Sequence, residues 1–205
     1  TRAVAELKPR ERAKLIGYLP QHPALAWSLS VADVVALGRY PHQAGWQLRN
    51  GARGCAPVIA ALHDTALHTF AERPVSTLSG GEQMRVHLAR LLAGQHPIIL
   101  ADEPIASLDP RYQLEILNHL ARVAHSGTAV AIVLHDLPLA ARFCTRLLVL
   151  DRGAVIADDH PESALSDEVL AQVFGVRSVR EPNTGQLIAL ASPEPRPAYG
   201  YATSN

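Results

Sequence analysis

Two adjacent carboxylates, Asp102 and Glu103, are the residues of this sequence best suited to carry out chemistry. They follow Ile98–Ala101, a short apolar run that is typical of a strand buried on both faces. A charge pair at the end of a buried strand is costly unless a metal ion or a proton transfer uses it. One carboxylate can hold Mg²⁺ through water while the other takes a proton from an attacking water, as phosphoryl transfer requires. The pair therefore indicates a site for hydrolytic phosphoryl transfer.

A second group of residues, further upstream, is suited to binding an anion. Ser79 stands where the N-cap of a helix is expected, and Glu82 lies three residues later, which is the spacing of a capping box. Gly80 and Gly81 between them allow another backbone or a ligand to come close. Since the amides and the dipole at a helix N-terminus favour negative charge, this end of the predicted helix suits a phosphate. The helix is predicted to end at Gly94.

The elements that position these residues alternate between strand and helix. After the carboxylates, Pro110 opens a predicted helix that ends at Ser126–Gly127, and Ala129–Leu134 is a second apolar strand. A strand, a helix and a strand in this order indicate parallel pairing with a right-handed crossover. Active sites of such sheets lie at the carboxyl ends of the strands, so His135 is predicted to share a rim of the sheet with Glu103.

Upstream of the anion group, the sequence predicts another strand and a mostly helical region. Leu15–Leu19 has a strand pattern, Ser30 caps a helix with an apolar face, and a further helix is predicted over Pro57–Phe70. His63 and His68 lie on that helix five residues apart. This spacing does not stack two side chains on one helix face, so no metal site is expected there.

Downstream of His135, the pattern predicts a series of short elements. They are a helix over 138–143, a hairpin of strands over 147–150 and 154–157, a helix capped by Ser166 and a last strand over 187–190. Residues 192–205 contain little to bury and are predicted to form a disordered tail.

Three stretches carry a resemblance to a known family. Leu78–Gln83 resembles the signature motif of ATP-binding-cassette (ABC) ATPases, and Ile98–Glu103 resembles their Walker B strand with its catalytic glutamate. Ser107–Asp109 is similar to the loop that follows in that family. The run Ser30–His42 resembles the stretch after the glutamine loop in the ATPases of importers for iron chelates, haem and cobalamin. The chain thus resembles the ATPase subunit of such an importer.

The resemblance implies an α/β fold: a P-loop NTPase-like (RecA-like) parallel-sheet core, here incomplete, with an inserted helical subdomain. It also implies a division of the chain into five parts. These are a core strand and glutamine loop (1–22), the helical subdomain ending in the signature helix (23–94), the core sheet with the Walker B strand and a switch histidine (95–160), a C-terminal helix and strand (161–191) and the tail (192–205).

The resemblance further assigns roles to individual residues, with ATP and Mg²⁺ as the cofactors. The residues it implies are catalytic Glu103, His135 and Gln21; metal-binding Asp102 and Gln21; and nucleotide-contacting Ser79, Gly80, Gly81, Glu82 and Asp109. In the family, two cassettes enclose two ATP molecules, and the signature motif of one subunit contacts the nucleotide held by the other. The glutamine of the first loop contacts Mg²⁺ or the attacking water and senses the transporter.

The phosphate-cradling loop of the family, Gly-x-x-x-x-Gly-Lys-Ser/Thr, does not occur in this sequence. The chain is therefore expected to be a fragment of a longer protein whose phosphate loop lies upstream. As written, the fragment is expected to bind ATP weakly or not at all and to be inactive alone.

The resemblance also implies partners and a location. The partners are transmembrane permease subunits, a second ATPase subunit and, indirectly, a periplasmic binding protein. The expected location is peripheral, at the cytoplasmic face of the inner (plasma) membrane, since no apolar run approaches the roughly 20 residues that span a bilayer. The transported substrate is not encoded in this chain.

Composition limits the other functions that the chain can be expected to have. Lysine plus arginine balance aspartate plus glutamate at 19 each, so the formal net charge of zero gives little electrostatic attraction to nucleic acid, and no nucleic-acid partner is expected. Two alternatives stay open: a cassette ATPase of DNA repair or translation, and a non-catalytic interaction module derived from such an ATPase. The only cysteines, Cys55 and Cys144, offer no metal-ligand spacing and no disulfide framework.

Overall fold

A computed structural model describes residues 3–21, 29–42, 52–106 and 108–192 of the chain. The chain divides into two compact units, Thr1–Leu134 and His135–Asn205, and each is described by itself below. Ser107, the predicted tail beyond Ser192 and most of the region between the two predicted helices of the helical subdomain lie outside the described residues. The five-part division implied by the resemblance stays a prediction.

The first unit contains the predicted parallel sheet. Its strands are β1 (Ile16–Leu19), β2 (Ile98–Asp102) and β3 (Ala129–Val133), in the spatial order β1-β2-β3. Both pairs are parallel, with Leu19 opposite Ala101 and Asp102 opposite Val133. The prediction of parallel pairing is confirmed, and the carboxyl ends of β1 and β2 meet at one edge of the sheet.

Only one face of this sheet is buried by the described residues, contrary to the expectation from the apolar run. Ile99 and Ala101 on one face of β2 are 2% and 3% exposed, whereas Ile98 and Leu100 on the other face are each 39% exposed. Side chains alternate between the faces of a strand, so the exposed residues of all three strands lie together. This open sheet face consists of Tyr18, Ile98, Leu100 and Val133.

Helices make up most of the rest of the first unit. They are α1 (Pro9–Leu15), α2 (Val31–Ala36), α3 (Ala56–Asp64), α4 (Gly80–Gly94) and α5 (Pro110–His125), with short 3₁₀ turns at Val4–Glu6, Leu37–His42, His68–Phe70 and Val75–Thr77. The predicted caps are observed: Ser30 Oγ accepts a hydrogen bond from the Asp33 amide at 3.2 Å, and Pro110 is the first residue of α5. None of the described helices is long and apolar enough to cross a membrane.

The helix predicted over Pro57–Phe70 is shorter than expected. It ends at Asp64, because Ala66 adopts a left-handed backbone conformation with φ of 53° and turns the chain. His63 and His68 are therefore not on one continuous helix, and their rings stack with centroids 4.6 Å apart and planes inclined by 11°. The assumption that their spacing keeps the two rings apart was wrong.

A continuous apolar core joins α2, α3 and α4. We call it the helical core; its fully buried members include Val31, Val35, Val58, Leu67, Val75, Val86 and Ala89. Helix α5 buries Ile116, Leu117 and Leu120, as its apolar periodicity predicts. These side chains fix the position of α4, the helix that begins at the candidate anion site.

The second unit is built from short elements around its own core. Their bounds are α6 (Leu137–Phe143), β4 (Leu147–Asp151), β5 (Ala154–Asp159), α7 (Pro161–Ala164), α8 (Asp167–Val169), a π-helical turn (Leu170–Phe174), β6 (Arg177–Arg180) and β7 (Leu187–Ala191). Leu137, Val149, Ala164, Leu165, Leu170 and Leu187 form the core.

The predicted hairpin of the second unit is confirmed. Strands β4 and β5 pair antiparallel, and Arg152 and Gly153 in the turn have φ values of 48° and 81°. Positive φ at both central positions is typical of the tight turns that join hairpin strands. Strand β6, which pairs antiparallel with β7, was missed because Arg177 and Arg180 interrupt any apolar pattern.

Candidate functional site

The carboxylates lie where strand β2 ends. Asp102 is the last residue of the strand, and Glu103 follows with φ of 45°, in the left-handed region that residues other than glycine rarely adopt. The Glu103 amide donates to the carbonyl of Val133 at 3.2 Å, so the neighbouring strand β3 holds this unusual residue in place. Unfavourable backbone conformations of this kind are concentrated at functional sites of proteins.

Strand β1 brings two polar side chains to the same edge. Gln21, two residues after the strand, donates from Nε2 to Oε2 of Glu103 at 2.6 Å. The hydroxyl of Tyr18 donates to Oδ2 of Asp102 at 3.4 Å. The structure thus joins Gln21, which the resemblance singled out, to the carboxylate pair through a direct hydrogen bond.

Tyr18 is a site residue that sequence reasoning missed. It lies opposite Leu100 in the parallel register, and its ring is on the open sheet face. The available signal was a hydroxyl-bearing side chain in the predicted strand, three residues before Gln21. It is informative only once the pairing of β1 with β2 is known.

The loop after Glu103 is organised by its own hydrogen bonds. The Ala106 amide donates to the Glu103 carbonyl at 3.1 Å, and the Leu108 amide donates to the Ile105 carbonyl at 3.4 Å. Asp109 is the N-cap of α5, and its Oδ1 accepts a hydrogen bond from the Tyr112 amide at 3.1 Å. The Asp109 carboxylate therefore stabilises the helix start, and its contact with a nucleotide stays a prediction.

The predicted capping box at the start of α4 is confirmed. The Glu82 amide donates to Ser79 Oγ at 3.3 Å, and the Ser79 amide donates to Glu82 Oε2 at 2.8 Å. The Ser79 hydroxyl also donates to the same carboxylate oxygen at 2.9 Å. These hydrogen bonds from the backbone and the hydroxyl of Ser79 hold the pKa of Glu82 below its usual value. These hydrogen bonds hold the turn in one defined conformation.

Gly80 and Gly81 differ in their surroundings. Gly80 has open space where a Cβ would be, whereas a Cβ at Gly81 would lie 2.7 Å from the ring of Tyr112. Ser79 and Gly80 are exposed. A phosphate can therefore approach the start of α4 from the Gly80 side.

Apart from Asp109, the predicted site residues fall into three groups. The first is the carboxylate group, with Asp102, Glu103 and Gln21 joined at the edge of the sheet. The second is the signature group at the start of α4, which consists of Ser79, Gly80, Gly81 and Glu82. The third is His135, the first residue of the second unit, whose role in the site stays a prediction.

The carboxylate group fits the chemistry of a magnesium ion. Carboxylate and amide oxygens are ligands that Mg²⁺ prefers, and the ion usually takes only one or two protein carboxylates together with waters and phosphate oxygens. No set of three His, Cys, Asp or Glu side chains within the described ranges is arranged to hold a metal ion without other ligands. Asp102 and Gln21 would supply the protein oxygens of such a partial ligand set, and their binding of Mg²⁺ stays a prediction.

Comparison with known structures defines the class of fold. The structure of an ABC transporter in an inward-facing conformation gives a TM-score of 0.73 over 82% of this chain and 68% of that chain. Its sequence is 24% identical, so this likeness shows the fold alone. The dimeric cassette MJ0796, a bacterial ABC transporter cassette, gives 0.64 at 30% identity over 75% of this chain and 66% of that chain. The predicted fold class, an α/β P-loop NTPase fold, is confirmed.

The family follows from the sequence. The model of the family described as ABC transporter matches residues 2–106. A protein of Myxococcus xanthus named hemin import ATP-binding protein HmuV is 44% identical over 83% of this chain, and the protein of the same name from Pseudomonas putida is 41% identical over 85%. The chain belongs to the ABC transporter family. It spans 65% of the length of the Myxococcus relative and 69% of the Pseudomonas relative.

Proposed function

We propose that this chain is part of an ATPase subunit that powers a membrane importer for hemin or a related iron chelate. The hydrogen bond of 2.6 Å between Gln21 and Glu103, beside Asp102 at the end of β2, carries the proposal. It places an amide and two carboxylates where the carboxyl ends of two parallel strands meet, which is where sheets of this type bind ligands. The hemin assignment rests on the names of the relatives from Myxococcus xanthus and Pseudomonas putida.

In the proposed reaction, Glu103 polarises the attacking water and accepts its proton. The water oxygen forms a bond to the γ-phosphorus while the bond to the bridging oxygen of ADP breaks. Gln21 keeps the Glu103 carboxylate in place through its hydrogen bond and can contact the same water. His135 positions the γ-phosphate. Asp102 would hold Mg²⁺, and the ion would offset the charge of the phosphates.

The signature group acts on a second nucleotide. Ser79, Gly80, Gly81 and Glu82, together with Asp109, contact the ATP of a partner cassette, and the partner does the same in return. The start of α4 supports this proposal, because its exposed and ordered turn presents backbone amides to an anion. The dimeric form of the MJ0796 cassette supports the same arrangement.

The proposed assembly contains two such cassettes and two transmembrane permease subunits at the cytoplasmic face of the plasma membrane. A periplasmic binding protein acts on it indirectly by delivering the substrate to the permease. The importer names of the relatives support these partners.

A substitution of the proposed base tests the function. Glu103→Gln in the native gene product should leave ATP binding intact and lower turnover by about 10²–10⁴-fold, because the amide cannot accept the proton. Glu168→Gln, which makes the same change at an exposed position, is the matched control and should keep the wild-type rate. Steady-state phosphate release and equilibrium ATP binding give both values. Unchanged turnover in Glu103→Gln would contradict the proposal, and a native product that binds no ATP would favour the non-catalytic interaction module.

A further inference from the structure

The ring of Tyr112 lies directly against Gly81 of the signature group. A Cβ built on Gly81 would be 2.7 Å from Cδ2, 3.0 Å from Cε2 and 3.1 Å from Cγ of that ring. Distances this short are not tolerated between carbon atoms, so only a glycine allows α4 and α5 to approach each other in this way. The position of Gly81 is thus defined by an aromatic ring on another helix.

The same ring also contacts the next turn of α4. The guanidinium carbon of Arg85, four residues after Gly81, lies 5.0 Å from the centre of the Tyr112 ring. This is a cation–π contact, and Arg85 also donates from Nη1 to the carbonyl of Thr65 at 3.5 Å. The ring therefore contacts α4 at two successive turns. These contacts fix both the position of α4 along its axis and its rotation about that axis.

Tyr112 is itself held firmly at the start of α5. Its amide donates to the Asp109 carboxylate at 3.1 Å, and Gln113 donates from Nε2 to the carbonyl of Ile105 at 3.4 Å. Asp109 and Ile105 belong to the loop that leaves the carboxylate group. The ring is therefore positioned by the segment that directly follows Glu103.

We propose that Tyr112 is a positioning residue for nucleotide binding, which sets the position of the Gly80 and Gly81 amides and with it the affinity of the signature group for nucleotide. This inference rests on the proposed function. The ring acts through Gly81, because moving the ring would allow the start of α4 to shift toward α5.

Two substitutions of Tyr112 in the native gene product test the role of the ring. Tyr112→Ala should raise KM for ATP about tenfold and leave kcat within about twofold, because shifted amides lose most of a hydrogen bond to a charged phosphate oxygen. Tyr112→Phe keeps the ring and its contacts, so its KM should stay at the wild-type value. A merely structural role would instead lower Tm without this split between KM and kcat.

A double-mutant cycle tests whether the ring acts through Gly81. Gly81→Ala should raise KM in the wild-type background but have little further effect beside Tyr112→Ala, because the space that the new methyl group needs is then available. Gly80→Ala is the matched control. No atom lies within 4 Å of its Cβ position, so its effect on KM should be the same in both backgrounds.

The outcomes separate this inference from the function on which it rests. An unchanged KM in Tyr112→Ala, equal effects of Tyr112→Ala and Tyr112→Phe, or an additive cycle at Gly81 would overturn the positioning role, even if Glu103→Gln still abolishes turnover. A native product without ATPase activity would overturn the proposed function and this inference together.

Discussion

The helical core and the three-stranded sheet of the first unit differ in how completely they are buried. Helices α2, α3 and α4 surround an apolar core whose central side chains, such as Val35 and Leu67, are 0% exposed. The sheet buries one face and leaves the open sheet face, with Leu100 39% exposed. The signature group thus lies on a buried apolar core, whereas the carboxylate group lies on a sheet whose second face is left uncovered by the described residues.

The two groups also differ in the range of the contacts that build them. The capping box joins Ser79 and Glu82, which are three residues apart in the sequence. The hydrogen bonds of Asp102 to Tyr18 and of Glu103 to Gln21 span 84 and 82 residues. The signature group is therefore fixed by local structure, and the carboxylate group depends on the pairing of strands far apart in the chain.

A matched pair of leucine substitutions should show the largest difference in stability. Leu67→Ala leaves a cavity in the helical core and should lower the free energy of unfolding by about 2–5 kcal/mol. Leu100→Ala removes a partly exposed side chain from the open sheet face and should cost less than about 1 kcal/mol. Urea unfolding of the 205-residue chain gives both values. Equal costs of the two substitutions in the 205-residue chain would contradict the contrast between the two regions.

Acid should destabilise α4 through a buried histidine. Burial, and to a smaller extent the charge of Arg90, lowers the pKa of His87 from 6.5 to about 4, and the side chain is 1% exposed. In the unfolded chain, His87 takes up a proton near its normal pKa of 6.5, whereas in the folded chain it stays neutral down to about pH 4. Stability contributed by the neutral ring is therefore complete above about pH 6.5 and falls by about 3 kcal/mol as the pH decreases to about 4.

His87→Leu should remove this part of the pH dependence. Neither ring nitrogen of His87 has a hydrogen-bond partner among the described residues, so an apolar side chain of similar size should be tolerated at pH 7. Denaturant midpoints of both proteins at a series of pH values measure the effect. Parallel pH curves for the two proteins would show that His87 is not the residue responsible.

The capping box should contribute the smallest of these effects. Ser79→Ala removes the acceptor of the Glu82 amide and should lower stability by about 1 kcal/mol. Glu82→Gln keeps a side-chain acceptor for the Ser79 amide and should cost less. Thermal unfolding of the two variants compares them. A loss in Glu82→Gln as large as that in Ser79→Ala would show that charge, rather than the hydrogen bonds, stabilises the turn.

The sequence predicted best what local chemistry determines. The capping box at Ser79, the helix start at Pro110 and the hairpin turn at Arg152–Gly153 follow from short patterns whose physical causes lie within a few residues. The parallel pairing was predicted from the alternation of strands and helices along the chain. The burial of β2 was predicted less well. An apolar run shows that a strand can be buried on both faces, but only the neighbouring elements decide whether it is.

Contacts between distant residues could not be predicted in the same way. The left-handed conformation of Ala66, which ends α3, has no sequence signal, because alanine normally favours the helix. The contact of Tyr112 with Gly81 and that of Tyr18 with Asp102 depend on how helices and strands pack, which no local pattern specifies. The residues of the candidate site were therefore visible in the sequence, whereas the side chains that hold them in place were not.

In the proposed function, Glu103 acts on one nucleotide while Ser79 of the same chain acts on another, across a pair of cassettes. To test this, two variants of the native gene product, Glu103→Gln and Ser79→Arg, are mixed. Each is checked to be folded and is expected to be inactive alone. In a mixed pair, one of the two sites receives both intact residues. The mixture should therefore recover up to about a quarter of the wild-type ATPase rate, since about half of the pairs are mixed and each has one working site. A mixture as inactive as its components would contradict the account.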